Sequence, residues 1–353
     1  MTSNFSDRAD VLVVGDGVIG LASALAVARA GGSCRILGRT VIGAASLASA
    51  GLLAPSIGST DSGFREFMLA SRDRYPAWVR LLAERTGIEV TLDRSGIIEL
   101  GSTSTGVGAR PIDAGELRDL EPAIHARANA MFYADDGYVD NIRFVDALRE
   151  AVRCEWSIAV VEGRVARIEP GIDHCHVTME DGRRQLGDTV VIAAGAWSAL
   201  IVGVPRPLPI EPVRGQMLQL SGSPLSHAIS SPDAYLVPRG DTTLVGSTLE
   251  RVGFDTSTSR AALDHLRSAA VTVVPAFADA DVVRSWAGLR PMTPDSRPVI
   301  GRDPDLPSVV YACGHGKNGI LLAPLTAECV ASIVGGSAPP FDLSCYGAQR
   351  FAQ

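Results

Sequence analysis

Three glycines near the start of the chain carry the first chemical signal. Gly15, Gly17 and Gly20 form a G-x-G-x-x-G that directly follows the apolar run Val11 to Val14. A short continuous apolar run of this kind predicts a buried parallel strand. Leu21 to Ala30 then reads as a helix stopped by the pair Gly31-Gly32. In a strand–turn–helix setting each glycine has a physical purpose. The first turns the chain tightly, the second lets backbone approach a pyrophosphate, and the third allows close helix–strand packing. The phosphates rest on the helix N-terminus, where free N–H groups and the helix dipole favour an anion. Val18 and Ile19 sit inside this loop and contribute backbone. The pattern predicts a dinucleotide site.

Which dinucleotide is a separate question. Ser33 to Leu37 is the second strand, and an acid at its end ordinarily holds a ribose hydroxyl. Here the residues are Gly38 and Arg39, and reading on from Asp16 the next Asp or Glu is Asp61. An arginine in that place suits a 2′-phosphate, so NADP stays open at this point. Gly43 to Pro55 is built almost wholly of small residues, among them Ala45, Ser46, Ala50 and Gly51, with Leu52 beside them. Small side chains let a backbone run close to a planar or phosphorylated ligand; the other reading is a tightly packed alanine-rich helix. His174 and His176 stand at strand spacing with no third ligand nearby, which predicts a solvent-facing pair and no metal site.

These residues must be positioned by a chain of 353 residues, long enough for two domains. It is 46% hydrophobic and 20% charged, as in a soluble α/β enzyme. The net charge of −7 excludes nucleic acid as the main partner and a polybasic membrane patch. No membrane span is expected from its apolar runs, and the N-terminal segment does not read as a signal peptide. The six cysteines include no Cys-x-x-Cys pair and predict reduced, structural thiols, Cys313 among them. A cytoplasmic location is expected.

Further elements follow in order. Phe64 to Gly87 reads as an amphipathic helix broken near Pro76, and Ile88 to Leu100 as strand. A Gly/Ser/Thr-rich loop spans Gly101 to Gly108, and polar helical material runs on to about Ala130. Asp140 to Cys154 is helical, Gly163 to Glu180 holds two alternating strands, and Thr189 to Ala193 is a buried strand. Gly215–Leu220, Ala234–Pro238 and Thr242–Gly246 suggest an antiparallel sheet, followed by a helix from Ser259 to Thr272. Ser308–Ala312 is a strand leading through Cys313-Gly-His-Gly-Lys-Asn-Gly319 into a helix from Ile320 to Val334.

Several of these segments together resemble the glycine oxidase branch of the D-amino acid oxidase-like flavoproteins. The resemblance rests on the opening glycine motif, S-L-A-S-A-G-L-L-A-P, V-V-I-A-A-G-A-W-S, A-Y-L-V-P-R, W-A-G-L-R-P and G-H-G-K-N-G-I-L-L-A-P, in that order along the whole chain. It implies an α/β fold in which a discontinuous, Rossmann-like FAD-binding domain (1–58, 140–204, 284–353) carries an inserted α+β substrate domain (59–139, 205–283) built on an antiparallel sheet. FAD is expected to bind non-covalently, because no cysteine matches the covalent attachment of related oxidases. The implied reaction is oxidative deamination of glycine, sarcosine or a small D-amino acid by hydride transfer to flavin N5. It yields an oxo acid, ammonia or an amine, and hydrogen peroxide from oxygen. The alternatives are an amino acid dehydrogenase on a larger or cyclic substrate with another acceptor, an NADP-dependent reductase, and a non-catalytic flavin-fold subunit. A homo-oligomer is among the expected partners, with the small amino acid substrate and oxygen.

The resemblance also implies roles. Arg290 binds the substrate carboxylate, for which its planar fork and permanent charge suit it; the competing reading is a structural arginine paired with an acid such as Asp295. Tyr235 lies over the substrate and hydrogen-bonds its carboxylate. Lys317, Met292 and Leu52 complete the substrate wall. His315, Gly316, Lys317, Asn318, Gly319, Ile320 and Leu321 bring a helix N-terminus to the flavin pyrimidine edge, where its dipole favours negative charge, with His315 a structural hydrogen-bonder. Val165 lies on the adenine side, and Ala194-Gly195 turn beneath the cofactor. Four positions depart from the family pattern: Gly38 for the ribose-binding acid, Lys317 for an arginine, Met292 for a glycine, and Gly316 for a bulkier residue.

Overall fold

The computed structural model describes residues 8–57, 61–102, 108–125 and 129–351. Part of the expected loop from Gly101 to Gly108 (103–107) lies outside them. The opening apolar run forms the strand Arg8–Val14, at the centre of an eight-stranded sheet. It lies parallel to Cys34–Gly38 on one side and Arg184–Ile192 on the other, with Val14 facing Leu37 and Ile192. Ile158–Glu162 and Val309–Cys313 extend the parallel part. Val11, Leu12 and Val13 are fully buried, as a strand covered on both faces requires. The parallel strands point their C-terminal ends to one edge, where the glycine loop starts.

Helix Val18–Arg29 packs on helix Gly319–Val334, and both put small and aliphatic side chains into one core. The segment Gly316–Val334, 19 residues, is by length and composition apolar enough to cross a membrane. Ile320 to Ala327 are all buried within the protein, so its hydrophobicity is that of a core helix. Pro324 lies inside this helix and has no N–H to give to the Ile320 carbonyl. The Tyr75 hydroxyl donates to that carbonyl at 2.5 Å, and the Ser71 hydroxyl bonds Leu321 O at 2.7 Å and accepts from Leu325 N at 3.3 Å. The ladder broken by proline is thus satisfied from outside.

The donors come from helices Ser62–Arg72 and Tyr75–Thr86, which replace the single broken helix expected from Phe64 to Gly87. Pro76 stands in the first turn of the second one, where its missing N–H costs nothing. Although 59–139 was expected in the substrate domain, Phe64, Phe67, Met68, Tyr75, Trp78 and Leu82 belong to the core of the first sheet.

The second sheet has eight strands, in the order Val282–Met292, Glu211–Ser221, Thr242–Gly246, Tyr235–Arg239, Ala228–Ser230, Ile97–Leu100, Ala130–Tyr133, Ala109–Ile112. Its pairings are antiparallel except that of Ala228–Ser230 with Ile97–Leu100, where the two inserted stretches of chain meet. Residues 284–292, expected with the first domain, pair with Glu211–Ser221 along the whole strand, from Glu211↔Met292 to Leu220↔Val282. The described residues of the stretch expected to be polar helix up to Ala130 hold the edge strand Ala109–Ile112 and the short helix Ala114–Leu120. Pro111 is tolerated there because an outer strand can lack a ladder donor, and Asp113 caps the helix by accepting from Gly115 N and Glu116 N.

Candidate active site

A cavity of about 1020 Å³ runs from the glycine loop to the second sheet, at the upper end of what small-molecule and cofactor sites occupy. Every residue expected at the site lines it except Gly20 and Leu321. Gly20 lies beneath the loop, where a Cβ would run into the Gly15 carbonyl oxygen. Leu321 is buried in the helix core. Both act through packing, because a helix turns successive side chains to different faces.

At the glycine loop, Gly15 has φ +116° and a Cβ there would strike the carbonyl oxygen of Ala193. Gly17 is the N-cap of helix Val18–Arg29; it has no side chain to satisfy the first-turn N–H groups, and no acid lies in that turn. Ser46 Oγ accepts from Val18 N at 3.0 Å. This helix end, with no acid in its first turn, lies on a cavity wall and fits a pyrophosphate. The small-residue run resolves into both of its readings, a four-residue helix Ala45–Ala48 and a stretch of cavity wall. It is held from two sides. Asn141 Nδ2 donates to Ser46 O at 3.0 Å, and Trp286 Nε1 donates to Ala48 O at 2.9 Å. A Cβ on Gly51 (φ +76°) would meet Val139 O, and one on Gly288 would meet Ala48 Cβ. The chain packs too closely at these two glycines for a side chain, and the run they fix lines the cavity. Ala194, Gly195 and Val165 line its far part, with Arg39 exposed at the rim.

Arg290 projects from strand Val282–Met292 opposite Val213 and is half-buried. Its guanidinium lies over Gly215 on the neighbouring strand, where any side chain would collide with it. It donates from Nη1 to Thr248 O at 3.0 Å and Arg214 O at 3.3 Å, and from Nη2 to Ser247 Oγ. All these acceptors are neutral. Asp295, the acid that might have paired with it, is bound to Arg350 at 2.8 Å. Among the described residues, Arg290 has no carboxylate partner. A fixed, half-buried cation on a cavity wall is an anion site.

Tyr235, half-buried, makes its one side-chain hydrogen bond to Met217 Sδ at 3.2 Å, so the phenol has no oxygen partner among the described residues. Leu52, on the short strand Leu52–Leu53, lines the same space. Met292 and Gly316 turn out to be one exchange. A Cβ on Gly316 would stand 3.0 Å from Met292 Sδ, so the thioether fills the room that a side chain at 316 would take. Lys317 is exposed at the mouth of the cavity and makes no ion pair among the described residues.

His315, Gly316, Lys317 and Asn318 lead into helix Gly319–Val334, whose first turn carries no acid. The His315 ring is buried with Nε2 3.2 Å from Thr326 Oγ1, and burial pushes its pKa down to about 3. It is neutral and turned into the core. Burial likewise pushes the Cys313 thiol up to about 12, which leaves it unreactive. All six cysteines are free. His174 is exposed and His176 half-buried, their rings 5.5 Å apart.

Sequence reading missed Ser247 and Thr248, which hold Arg290, and Met217, which meets Tyr235. No motif marks them. The signal was the strand Thr242–Gly246 pairing beside Glu211–Ser221, which brings the residues after it to the cavity.

Comparison with known proteins adds four likenesses. The family model described as "DAO: FAD dependent oxidoreductase" matches residues 10–333. The glycine oxidase of Geobacillus kaustophilus is 33% identical over 97% of this chain and 97% of its own length. The bifunctional protein ThiO/ThiG of Synechocystis sp. is 33% identical over 97% of this chain, which spans only 54% of that relative. A crystal structure of glycine oxidase from Geobacillus kaustophilus superposes with a TM-score of 0.92 at 31% identity, covering 99% of this chain and all of that one.

Proposed function

The chain belongs to the DAO family of FAD-dependent oxidoreductases, and from that premise we propose that it oxidises glycine or another small amino acid at the carbon bearing the amine. FAD is held non-covalently. The observation that carries the substrate reading is Arg290, a half-buried cation on the cavity wall whose partners among the described residues are neutral oxygens. A substrate carboxylate completes it, with two parallel charge-assisted bonds. Tyr235, whose hydroxyl has no oxygen partner among the described residues, donates a further bond to that carboxylate. Met217 and Met292 close the space beside the two residues, which favours a small substituent on the substrate carbon.

Gly15, Gly17 and the start of helix Val18–Arg29 hold the pyrophosphate, Ala45 to Leu52 flank the cofactor, and the N-terminus of helix Gly319–Val334 favours negative charge beside it. Bound FAD supplies the two-electron acceptor for the hydride that leaves the substrate carbon. The residues contribute position. A guanidinium offers only donors and His315 faces Thr326, so neither takes the amine proton; the amine reaches the site neutral, its proton given to water. The imine that remains adds water and releases an oxo acid and ammonia or a primary amine. Oxygen is the proposed final acceptor and hydrogen peroxide its product.

Purified protein is expected to show flavin absorption and to form peroxide with at least one of glycine, sarcosine, D-alanine and D-proline. A colourless protein that FAD does not reconstitute would overturn the proposal. Dye reduction without peroxide would replace oxygen as acceptor.

A further inference from the structure

The acid that a dinucleotide fold ordinarily carries at the end of its second strand is absent, and Gly38 stands there. The reason is steric. The glycine loop folds over that strand end, with Gly15 N donating to Leu37 O at 2.9 Å. A Cβ on Gly38 would lie 2.8 Å from the Asp16 backbone nitrogen and 3.0 Å from Asp16 Cβ. The side chain of residue 16 therefore occupies the space that a side chain at 38 would need, and residue 16 is itself an acid. We propose that the Asp16 carboxylate holds the adenosine ribose of FAD, the acid having moved from the strand end into the glycine loop. This rests on the FAD site described above.

The surroundings suit that task. Asp16 is half-buried on the cavity wall together with Gly38, Arg39 and Val165. Thr40 Oγ1 donates to Asp16 Oδ2 at 3.0 Å, and Arg149 Nη2 donates to Thr40 Oγ1 at 2.8 Å. Because the threonine oxygen accepts from Arg149, its proton is directed to Asp16. One carboxylate oxygen is thus oriented, and Oδ1 has no hydrogen bond among the described residues. An ionised carboxylate only accepts, and ribose hydroxyls are donors, so the bond is charge-assisted. The other acids on the wall are engaged elsewhere. Asp61 is held by Arg297 at 2.6 Å, Asp295 by Arg350 at 2.8 Å, and Glu180 faces Arg164 at 3.5 Å. A carboxylate at this point also repels a 2′-phosphate, which removes the NADP reading that Arg39 had left open.

The test is reconstitution of apoprotein, followed by quenching of flavin fluorescence. The probes are FAD, FMN, and FAD lacking the 2′- or the 3′-hydroxyl of its adenosine ribose. Asp16→Ala is expected to raise the Kd for FAD about 10- to 100-fold. It should leave the Kd for FMN unchanged, and at least one deoxy analogue should bind wild type and variant alike. Asp16→Asn, nearly isosteric, serves if the alanine variant does not fold, and should weaken FAD but not FMN. An FAD Kd within twofold of wild type, or an equal loss with FMN or with both deoxy analogues, overturns the proposal. Wild-type apoprotein that takes up no FAD overturns the cofactor site as well, a separate outcome from a normal wild type with an indifferent variant.

Discussion

Arg290 and His315 both line the cavity and differ in what they face. The Arg290 guanidinium is held by two backbone carbonyls and Ser247, all neutral, and faces the cavity as an anion site. Arg290→Ala should therefore lower kcat/KM by roughly 3–5 kcal/mol, mainly through KM, as when one partner of a desolvated charge pair is removed. Arg290→Lys should fall between the two, since an ammonium lacks the two-pronged geometry. Steady-state kinetics decide, and an unchanged kcat/KM would show that the carboxylate is held elsewhere. His315 has a folded pKa of about 3, below its unfolded 6.5, because burial penalises the charged ring. The unfolded chain thus binds the proton first. Its contribution is fully present above pH 6.5 and is lost as pH falls toward 3, at up to about 1.4 kcal/mol per pH unit. Thermal unfolding of His315→Gln against wild type should show a shallower loss between pH 6.5 and 4.

The last long helix depends on its neighbours. Pro324 removes one rung of its ladder, and Tyr75 and Ser71 replace what is lost. Tyr75→Phe leaves the Ile320 carbonyl buried without a donor and should cost about 1–3 kcal/mol, read from denaturant unfolding. This explains why helices Ser62–Arg72 and Tyr75–Thr86 sit with the first sheet and not with the inserted one. Their own amphipathic pattern announced helices; it said nothing of which core would receive the apolar face. The glycine loop was legible for the opposite reason. Its strand, turn and helix are adjacent in sequence, so their contacts follow from local geometry.

Across the whole molecule, the cavity exists because two sheets meet over the small-residue run. Arg239 of the second sheet reaches across to Ala50 O at 2.9 Å and to Asp140, the N-cap of helix Asn141–Cys154, at 3.0 Å. A cofactor lying in that cavity binds only the folded chain, so FAD at a hundred times its Kd should add about 2.7 kcal/mol of stability. The melting temperature of apoprotein should rise with the logarithm of added FAD, and a melting temperature indifferent to FAD would contradict this.

The sequence by itself determined the dinucleotide turn and the family, and of the residues it named for the site all but Gly20 and Leu321 line the cavity. These lie in contiguous motifs whose spacing is set by strand and helix periods. Only the tertiary structure decided how they are completed. Arg290 finds neutral oxygens and not Asp295, Met292 fills the room left by Gly316, and Asp16 takes the space beside Gly38. Each of these depends on atoms from strands or loops distant in the chain competing for one volume, and close packing lets just one side chain have it. Looked at alone, Gly38 is a missing acid; against the loop folded over it, it is the reason the acid stands at position 16.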